Sequence, residues 1–314
     1  MNKYTLINLP IICAVYALLV YGEYLYLNHF YNTHSFAVYI LNVFIFNFLA
    51  FGVITAHIGC VITNPGYVGD GYPQFDRNEL ERAKEETPDG WTVCKKCCIY
   101  RPPRTHHCSK CKRCIFFMDH HCPWVNNCIG QFNIKYFLLF LIYTTTIGVH
   151  NIITCVYVIN TDPNMNDEPQ RKKHVIAGLI LSIAFGAFVG SMLINQIFGI
   201  LYDETSVEHV IRRSEYKTLF GQYLNDLQKY YRSPKRSKLV KPDDKAIRAF
   251  KEARKKNETF REMMVRSGDR IFGKVPIYLW IFPVCHIFID SKEDVRKLMI
   301  APLTTISGND QKEL

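Results

Sequence analysis

Residues 94–128 read CKKCCIYRPPRTHHCSKCKRCIFFMDHHCPWVNNC, and this window decides what kind of protein the chain is. Eight of the twelve cysteines fall inside it. The order is Cys94-x-x-Cys97, then His106-His107-Cys108-x-x-Cys111-x-x-Cys114, then Asp119-His120-His121-Cys122 and Cys128. A C-x-x-C step has the reach to put two thiolates on one tetrahedral zinc. Two such steps with histidines between them point to metal or thiol chemistry, because the topology worked out below puts the window on the reducing side of a membrane, where structural disulfides are disfavoured. Two closed sites take four ligands each, and the window offers eight cysteines and four histidines. Four candidates are therefore left over, and spacing alone does not say which. Cys98 directly follows a ligand candidate and reads as a bystander. The more telling leftover is a cysteine beside Asp119 and His120: a thiol attacks only as thiolate, and a histidine oriented by a carboxylate can take its proton.

Outward from this window lie uncharged apolar runs long enough to cross about 30 Å of hydrocarbon, for which roughly 20 helical residues suffice. They cover 36–62, 136–159 and 175–201. A fourth run, 6–27, is interrupted by Pro10 and Glu23; it reads as an uncleaved helix, since only Lys3 precedes it and no small-residue cleavage site follows. Four such runs in a chain of 314 residues would leave a soluble protein too little polar surface to cover them. Lysine and arginine set the orientation. The connector 28–35 has none, 63–135 has eleven, the third has three at 171–173, and the tail from Asp203 has twenty-three, so both termini and the long connector are expected in the cytosol.

The expected fold class is an all-α polytopic membrane protein: four transmembrane helices and a small zinc-stabilised cysteine-rich domain in the cytosolic loop between spans two and three. The expected divisions are spans one and two (1–62), a cytosolic linker (63–90), the cysteine-rich domain (91–133), spans three and four (134–202) and a basic tail (203–314). The part of the linker at 70–90 reads as polar and loosely ordered. In the tail, 229–256 carries twelve basic and three acidic residues, and 244–264 has an amphipathic helical pattern, either a solvated face or a surface for anionic lipid. The apolar segment 275–289 contains Pro276 and Pro283 and is too short and broken to span, so it is expected at the interface or on the bundle. If it did cross, Gln311-Lys312-Glu313-Leu314 would face the lumen as a loose imitation of a retrieval signal. The sequon Asn257-Glu258-Thr259 is expected on the cytosolic side, hidden from glycosylation. No repeat of 20–50 residues is present.

The window, ending in Asp119-His120-His121-Cys122-Pro123-Trp124-Val125-Asn126-Asn127-Cys128-Ile129-Gly130, resembles the cysteine-rich domain of the DHHC protein S-acyltransferases, or palmitoyltransferases, over 94–130 almost without departure. That resemblance implies one zinc held by Cys94, Cys97, His107 and Cys114, and a second held by Cys108, Cys111, His121 and Cys128. It implies Cys122 as the acyl-accepting nucleophile, His120 as its base and Asp119 as the group that orients the histidine, with no ligand role for His106 or Cys98. Thr205-Ser206-Val207-Glu208 is similar to the family's T-T-x-E with Ser206 in place of threonine, a hydroxyl that can still hydrogen-bond near Asp119. Asn64-Pro65-Gly66 is similar to D-P-G, keeping the turn and losing the charge. Either also reads as an ordinary helix-end turn or cap.

The implied activity is transfer of a long-chain acyl group from palmitoyl-CoA, or a similar acyl-CoA, to cysteines of membrane-associated proteins, in the Golgi or endoplasmic reticulum, with two structural zinc ions. Arg101, Arg104 and Lys110, with Lys112 and Arg113, are candidates to meet the CoA phosphates, although the positive-inside bias alone accounts for cations there. Trp124 reads as an interfacial residue beside the thioester or as finger packing. Tyr143 and Ile147 are candidates for the closed end of an acyl tunnel. Gly186-x-x-x-Gly190 permits close helix contact, expected within the bundle. The alternative is a silent membrane-anchored zinc-finger scaffold, which would need the ligands but not Asp119, His120 and Cys122. Nucleic acid is not an expected partner: charge would allow it, but membrane tethering and the family resemblance argue against it.

Overall fold

Every element follows from where apolar runs end and turn chemistry begins. The chain is described from a computed structural model, which covers residues 3–30, 36–69 and 72–232 with single positions at 248 and 271. Apart from position 248, the stretches 244–264 and 275–289, the Asn257 sequon and the C-terminal residues lie outside the described residues. In order the elements are α1 (Lys3–His29), α2 (Phe36–Ile62), β1 (Tyr67–Val68), a 3-10 turn (Arg77–Glu79), α3 (Leu80–Glu85), β2 (Thr92–Cys94), β3 (Ile99–Arg101), β4 (Thr105–Cys108), β5 (Arg113–Phe116), β6 (His120–Cys122), β7 (Asn127–Ile129), α4 (Ile134–Thr161), α5 (Pro169–Leu201) and α6 (Ser206–Arg232). The described residues divide into two compact units, the first running to Phe198 and the second beginning at Gly199.

Three helices, α2, α4 and α5, are long and apolar enough to cross a membrane. Phe44, Phe51, Ile180, Ile183 and Ile194 stand exposed on them, a band that water would penalise and lipid accepts. The protein is therefore an integral membrane protein. Helix α1 is as long as α2 but contains Pro10, and its Glu23 carboxylate accepts a hydrogen bond from Asn47 Nδ2 at 3.1 Å.

Without a hydrophobic force between helices in lipid, close packing needs small residues. On α2, a Cβ built on Gly52 or on Gly59 would lie 2.6 Å from the rings of Tyr143 and Tyr136 respectively, so both tyrosines of α4 lie flat on glycine. The Gly186-x-x-x-Gly190 pair faces α4: a Cβ on Gly148 would meet Gly186 at 3.6 Å and one on Gly190 would meet Thr145 at 3.8 Å. At the bundle end farthest from the hairpins, buried Arg171 pairs with Asp162 at 2.5 Å and donates from Nη2 to the His29 carbonyl at 2.7 Å, tying α5 to α4 and α1.

The cysteine-rich segment is built of short antiparallel pieces. A three-stranded sheet has the order β1-β5-β4, and β2-β3 and β6-β7 are two-stranded. Asn64-Pro65-Gly66 starts it: Asn64 Oδ1 accepts from the amides of Gly66 and Tyr67, both at 2.9 Å, and Gly66 takes φ 111°. Asparagine supplies the turn through its oxygen, so the missing charge costs the fold nothing. The stretch 72–90 is more ordered than its polarity implies. Ala83 of α3 packs with Trp91 and Tyr100, and Tyr72 and Phe75 pack against this cluster. Charged residues separate these apolar ones, leaving no period to read.

In the second unit α6 starts with a capping box. Thr205 Oγ1 accepts from the Glu208 amide at 3.3 Å, and Glu208 Oε2 accepts from the Thr205 amide at 2.8 Å.

Candidate active site and metal centres

Two knuckles repeat one backbone device. The Cys98 amide donates to the Cys94 carbonyl at 2.7 Å and the Lys112 amide to that of Cys108 at 2.8 Å. Each chain then leaves through a left-handed residue, Cys98 at φ 54° and Lys112 at φ 58°. Cys98 is thus a turn residue, which is why it makes no third thiol at a centre.

Cys94, Cys97, His107 and Cys114 form one cluster and Cys108, Cys111, His121 and Cys128 the other, all ligand atoms within a cluster lying within 4.8 Å of one another. The sets interleave because β4 pairs with β5, placing His107 opposite Cys114 and Cys108 opposite Arg113, while β6 pairs with β7, placing His121 opposite Cys128. His107 Nδ1 is 3.2 Å from Cys97 Sγ, and His121 Nδ1 is 3.4 Å from Cys111 Sγ. Tetrahedral zinc with Zn–S of about 2.3 Å and Zn–N of about 2.0 Å requires S···N edges of roughly 3.5 Å. The donor sets and spacings fit zinc. In the second cluster, hydrogen bonds from Cys111 and Cys128 hold the Cys108 thiol far below its ordinary pKa, while those with Cys108 and Cys111 push Cys128 far up.

Between the clusters, β6 carries His120 and Cys122. Asp119 is buried, with its amide donating to the Ile129 carbonyl at 2.9 Å. Its Oδ2 lies 2.7 Å from His120 Nδ1, and the His120 ring stands edge-on to Phe137, centroids 5.1 Å apart. Burial pulls the His120 pKa down, but the hydrogen bond to Asp119, joined by Cys122, outweighs it and raises the value to about 9. His120 Nε2, buried and with no aligned partner among the described residues, is available to the thiol. Cys122 is 1 % exposed and belongs to the apolar core that includes Cys60, Val125, Ile129 and Phe137.

Several residues that hold the array escaped the sequence reading. Gln196 of α5 donates from Nε2 to Asp119 Oδ2 at 3.3 Å. Asn127 Nδ2 donates to the carbonyls of Cys60 and Thr63, both at 3.0 Å, satisfying the open end of α2, while its Oδ1 accepts from the Cys128 amide at 2.9 Å. Fully buried Asn133 donates to the Cys128 carbonyl at 2.8 Å. His57 Nε2 is 3.0 Å from the Trp124 carbonyl oxygen. Only a polar residue inside an apolar run signals Gln196 or His57 in advance, and nothing in the sequence names their partners.

The Trp124 ring rests against Phe185 and Phe188 of α5, centroids 6.1 and 5.8 Å away. Phe185 also lines an apolar cavity of ≈ 70 Å³ among α1, α2, α4 and α5, with Leu19, Gly22, Phe46, Ile147 and Ser182. Ile147 lines this cavity, and Tyr143 packs on Gly52. Of the candidate cations, Arg101 Nε donates to Thr92 Oγ1 at 3.1 Å, Arg104 lies over Phe117 at 4.1 Å, and Lys110 is exposed. Thr205 and Ser206 lie in the second unit, at the start of α6.

Fold and site together define a class: a membrane protein whose metal-knuckle hairpins hold a buried thiol beside an imidazole–carboxylate pair. A profile of the DHHC palmitoyltransferases matches residues 87–213, the stretch that holds both metal clusters and Asp119, His120 and Cys122. The chain is similar to palmitoyltransferase ZDHHC3-A of Danio rerio, 35% identical over 170 residues, which cover 52% of this chain and 53% of the relative. It is similar to palmitoyltransferase ZDHHC3 of Homo sapiens, 35% identical over 168 residues covering 51% and 56%. It is also similar to probable protein S-acyltransferase 13 of Arabidopsis thaliana, 33% identical over 195 residues covering 54% and 65%. The chain spans about half the length of the ZDHHC3 relatives it matches.

Proposed function

We propose that this protein transfers a long-chain fatty acyl group, palmitoyl by preference, from acyl-CoA to cysteine thiols of membrane-associated proteins by a ping-pong mechanism. The observation that carries the reading is Asp119 Oδ2 at 2.7 Å from His120 Nδ1, with buried Cys122 two residues on, in a segment that matches the DHHC palmitoyltransferase profile. In the first step the Cys122 proton rests on His120, whose raised pKa favours an imidazolium beside a thiolate, and the thiolate attacks the thioester carbonyl. The carbonyl re-forms, the C–S bond to CoA breaks, and the CoA thiolate takes the proton from His120, leaving it neutral for the second step. In the second, His120 takes the proton of an incoming protein thiol, which attacks acyl-Cys122, and the proton returns to Cys122 as it leaves. Asp119 holds the imidazole with Nε2 toward sulfur and stabilises the imidazolium.

Cys94, Cys97, His107 and Cys114 would hold one zinc and Cys108, Cys111, His121 and Cys128 a second, and with four protein ligands each the ions would supply structure alone. The acyl chain gains about 0.8 kcal/mol per CH₂ on leaving water, which favours placing its receptor in the bundle. The reading takes α1 as a fourth span, puts both termini and the hairpins in the cytosol, and places the enzyme in the Golgi or endoplasmic reticulum. Arg101, Arg104 and Lys110 are assigned to the cytosolic side, near the CoA phosphates.

The test is incubation of purified protein with clickable palmitoyl-CoA. Label on the native chain that neutral hydroxylamine releases, and that Cys122→Ser lacks, supports the reading. No label on folded protein carrying two zinc ions refutes it.

A further inference from the structure

An ionisable residue inside a membrane helix is costly to keep, and that cost calls for a reason. His57 of α2 is 1 % exposed and both its ring nitrogens are engaged: Tyr16 Oη of α1 is 2.9 Å from Nδ1, and the Trp124 carbonyl oxygen is 3.0 Å from Nε2. The partners decide where the proton sits. A carbonyl oxygen only accepts, so Nε2 carries the hydrogen; on a neutral ring Nδ1 is then an acceptor, and the Tyr16 hydroxyl donates to it. The opposite tautomer would set two lone pairs face to face. A doubly protonated ring would be a buried cation beside Phe140, centroids 5.5 Å apart, with no carboxylate hydrogen-bonded to it among the described residues.

Trp124 stands two residues after Cys122, in the turn that the Asn126 amide closes on the Pro123 carbonyl at 3.3 Å and that joins β6 to β7. Its ring is held by Phe185 and Phe188 of α5, and its carbonyl by His57 of α2. The array is therefore tied at both ends, at Asp119 by Gln196 and just past Cys122 by His57.

We propose that His57 is a positioning residue for acyl transfer: its Nε2–H tautomer, set by Tyr16, holds the turn after Cys122 so that the thiol faces His120. The proposal rests on the acyltransferase reading above. It differs from mere bracing because the hairpin already has anchors of its own in Asn127 and Asn133. Losing the His57 donor leaves the turn attached but free to shift, and a displacement of about 1 Å at a reacting group costs on the order of 100-fold in rate.

The experiment is single-turnover formation of acyl-Cys122 from palmitoyl-CoA by the full chain in detergent, with zinc content and melting temperature measured alongside. His57→Leu removes both bonds, His57→Gln keeps an amide donor where Nε2 stands, and Tyr16→Phe removes only the group that sets the tautomer. His57→Leu is expected to lower the limiting rate constant by about 10- to 100-fold while the half-saturating palmitoyl-CoA concentration changes less than roughly threefold. His57→Gln recovers most of that loss, and Tyr16→Phe falls between. A wild-type rate for His57→Leu, or no recovery in His57→Gln, overturns the proposal alone. If His57→Leu fails to retain zinc, Tyr16→Phe decides: a lowered rate at unchanged zinc content and melting temperature supports the proposal, and a wild-type rate overturns it. A native chain that forms no acyl-enzyme overturns the acyltransferase reading and this proposal with it.

Discussion

Replacing Asn127 by aspartate swaps one atom and inverts the chemistry of the joint between the hairpins and α2. The Asn127 amide donates both its hydrogens, to Cys60 O and Thr63 O at 3.0 Å each, and its Nδ2 is also 3.4 Å from Val61 O. The residue is buried. Aspartate keeps the acceptor that serves the Cys128 amide but points its second oxygen at three carbonyls. Two carbonyl groups then lose their donor, at about 1–3 kcal/mol each, and the carboxyl is either protonated or left as a buried charge. The expected loss is about 4 kcal/mol, or roughly 10 °C in melting temperature for a chain of this size. Cys128 is also a ligand residue, so the second metal should exchange faster. The assay is thermal unfolding in detergent with zinc release to a chromogenic chelator, and Asn126→Asp serves as control, because asparagine and aspartate both tolerate the left-handed conformation of position 126 at φ 47°. Asn127→Asp melting within about 2 °C of the native protein and releasing zinc no faster would refute the argument, since that shift corresponds to under about 1 kcal/mol.

Three further outcomes are expected. Gln196→Leu should slow acyl-Cys122 formation by roughly 10- to 100-fold, the equivalent of one charge-assisted hydrogen bond to Asp119, with acyl-CoA affinity unchanged; single-turnover labelling reads this directly. Cys97→Ser should cost one of two zinc ions, whereas Cys98→Ser keeps both and Cys98→Gly, at a left-handed position, gains about 1 kcal/mol; metal analysis with a thermal melt separates the three. Gly59→Ala should destabilise the fold by about 1–3 kcal/mol by driving the Tyr136 ring off α2, with Tyr136→Leu in the same chain restoring part of the loss in melting temperature.

The expected ligand sets are the ones that come together. Their C-x-x-C steps sit in local knuckles whose closing bonds run from Cys98 back to Cys94 and from Lys112 back to Cys108, so sequence distance and spatial distance nearly coincide. The three strongest apolar runs are legible for a related reason, because a helix in lipid must satisfy its backbone within itself. The stretch 72–90 was not legible: Tyr72, Phe75, Ala83 and Trp91 carry no period and acquire meaning only when β3 brings Tyr100 to them. The T-S-V-E motif shows a different limit, since its threonine and glutamate complete a helix cap whose partners are three residues apart.

The sequence by itself determined a membrane protein, a window with more than enough thiols and imidazoles for two metal centres, and the adjacency of Asp119, His120 and Cys122, because these rest on composition or on partners close along the chain. Which eight ligands pair was implied there only by the family resemblance, and β4–β5 and β6–β7 pairing brings them together. Only the tertiary structure decided what holds that array in place. The bonds from Gln196 to Asp119, His57 to Trp124 and Asn127 to Cys60 join residues 77, 67 and 67 positions apart. A polar side chain in an apolar run announces that it needs a partner, but packing selects which one.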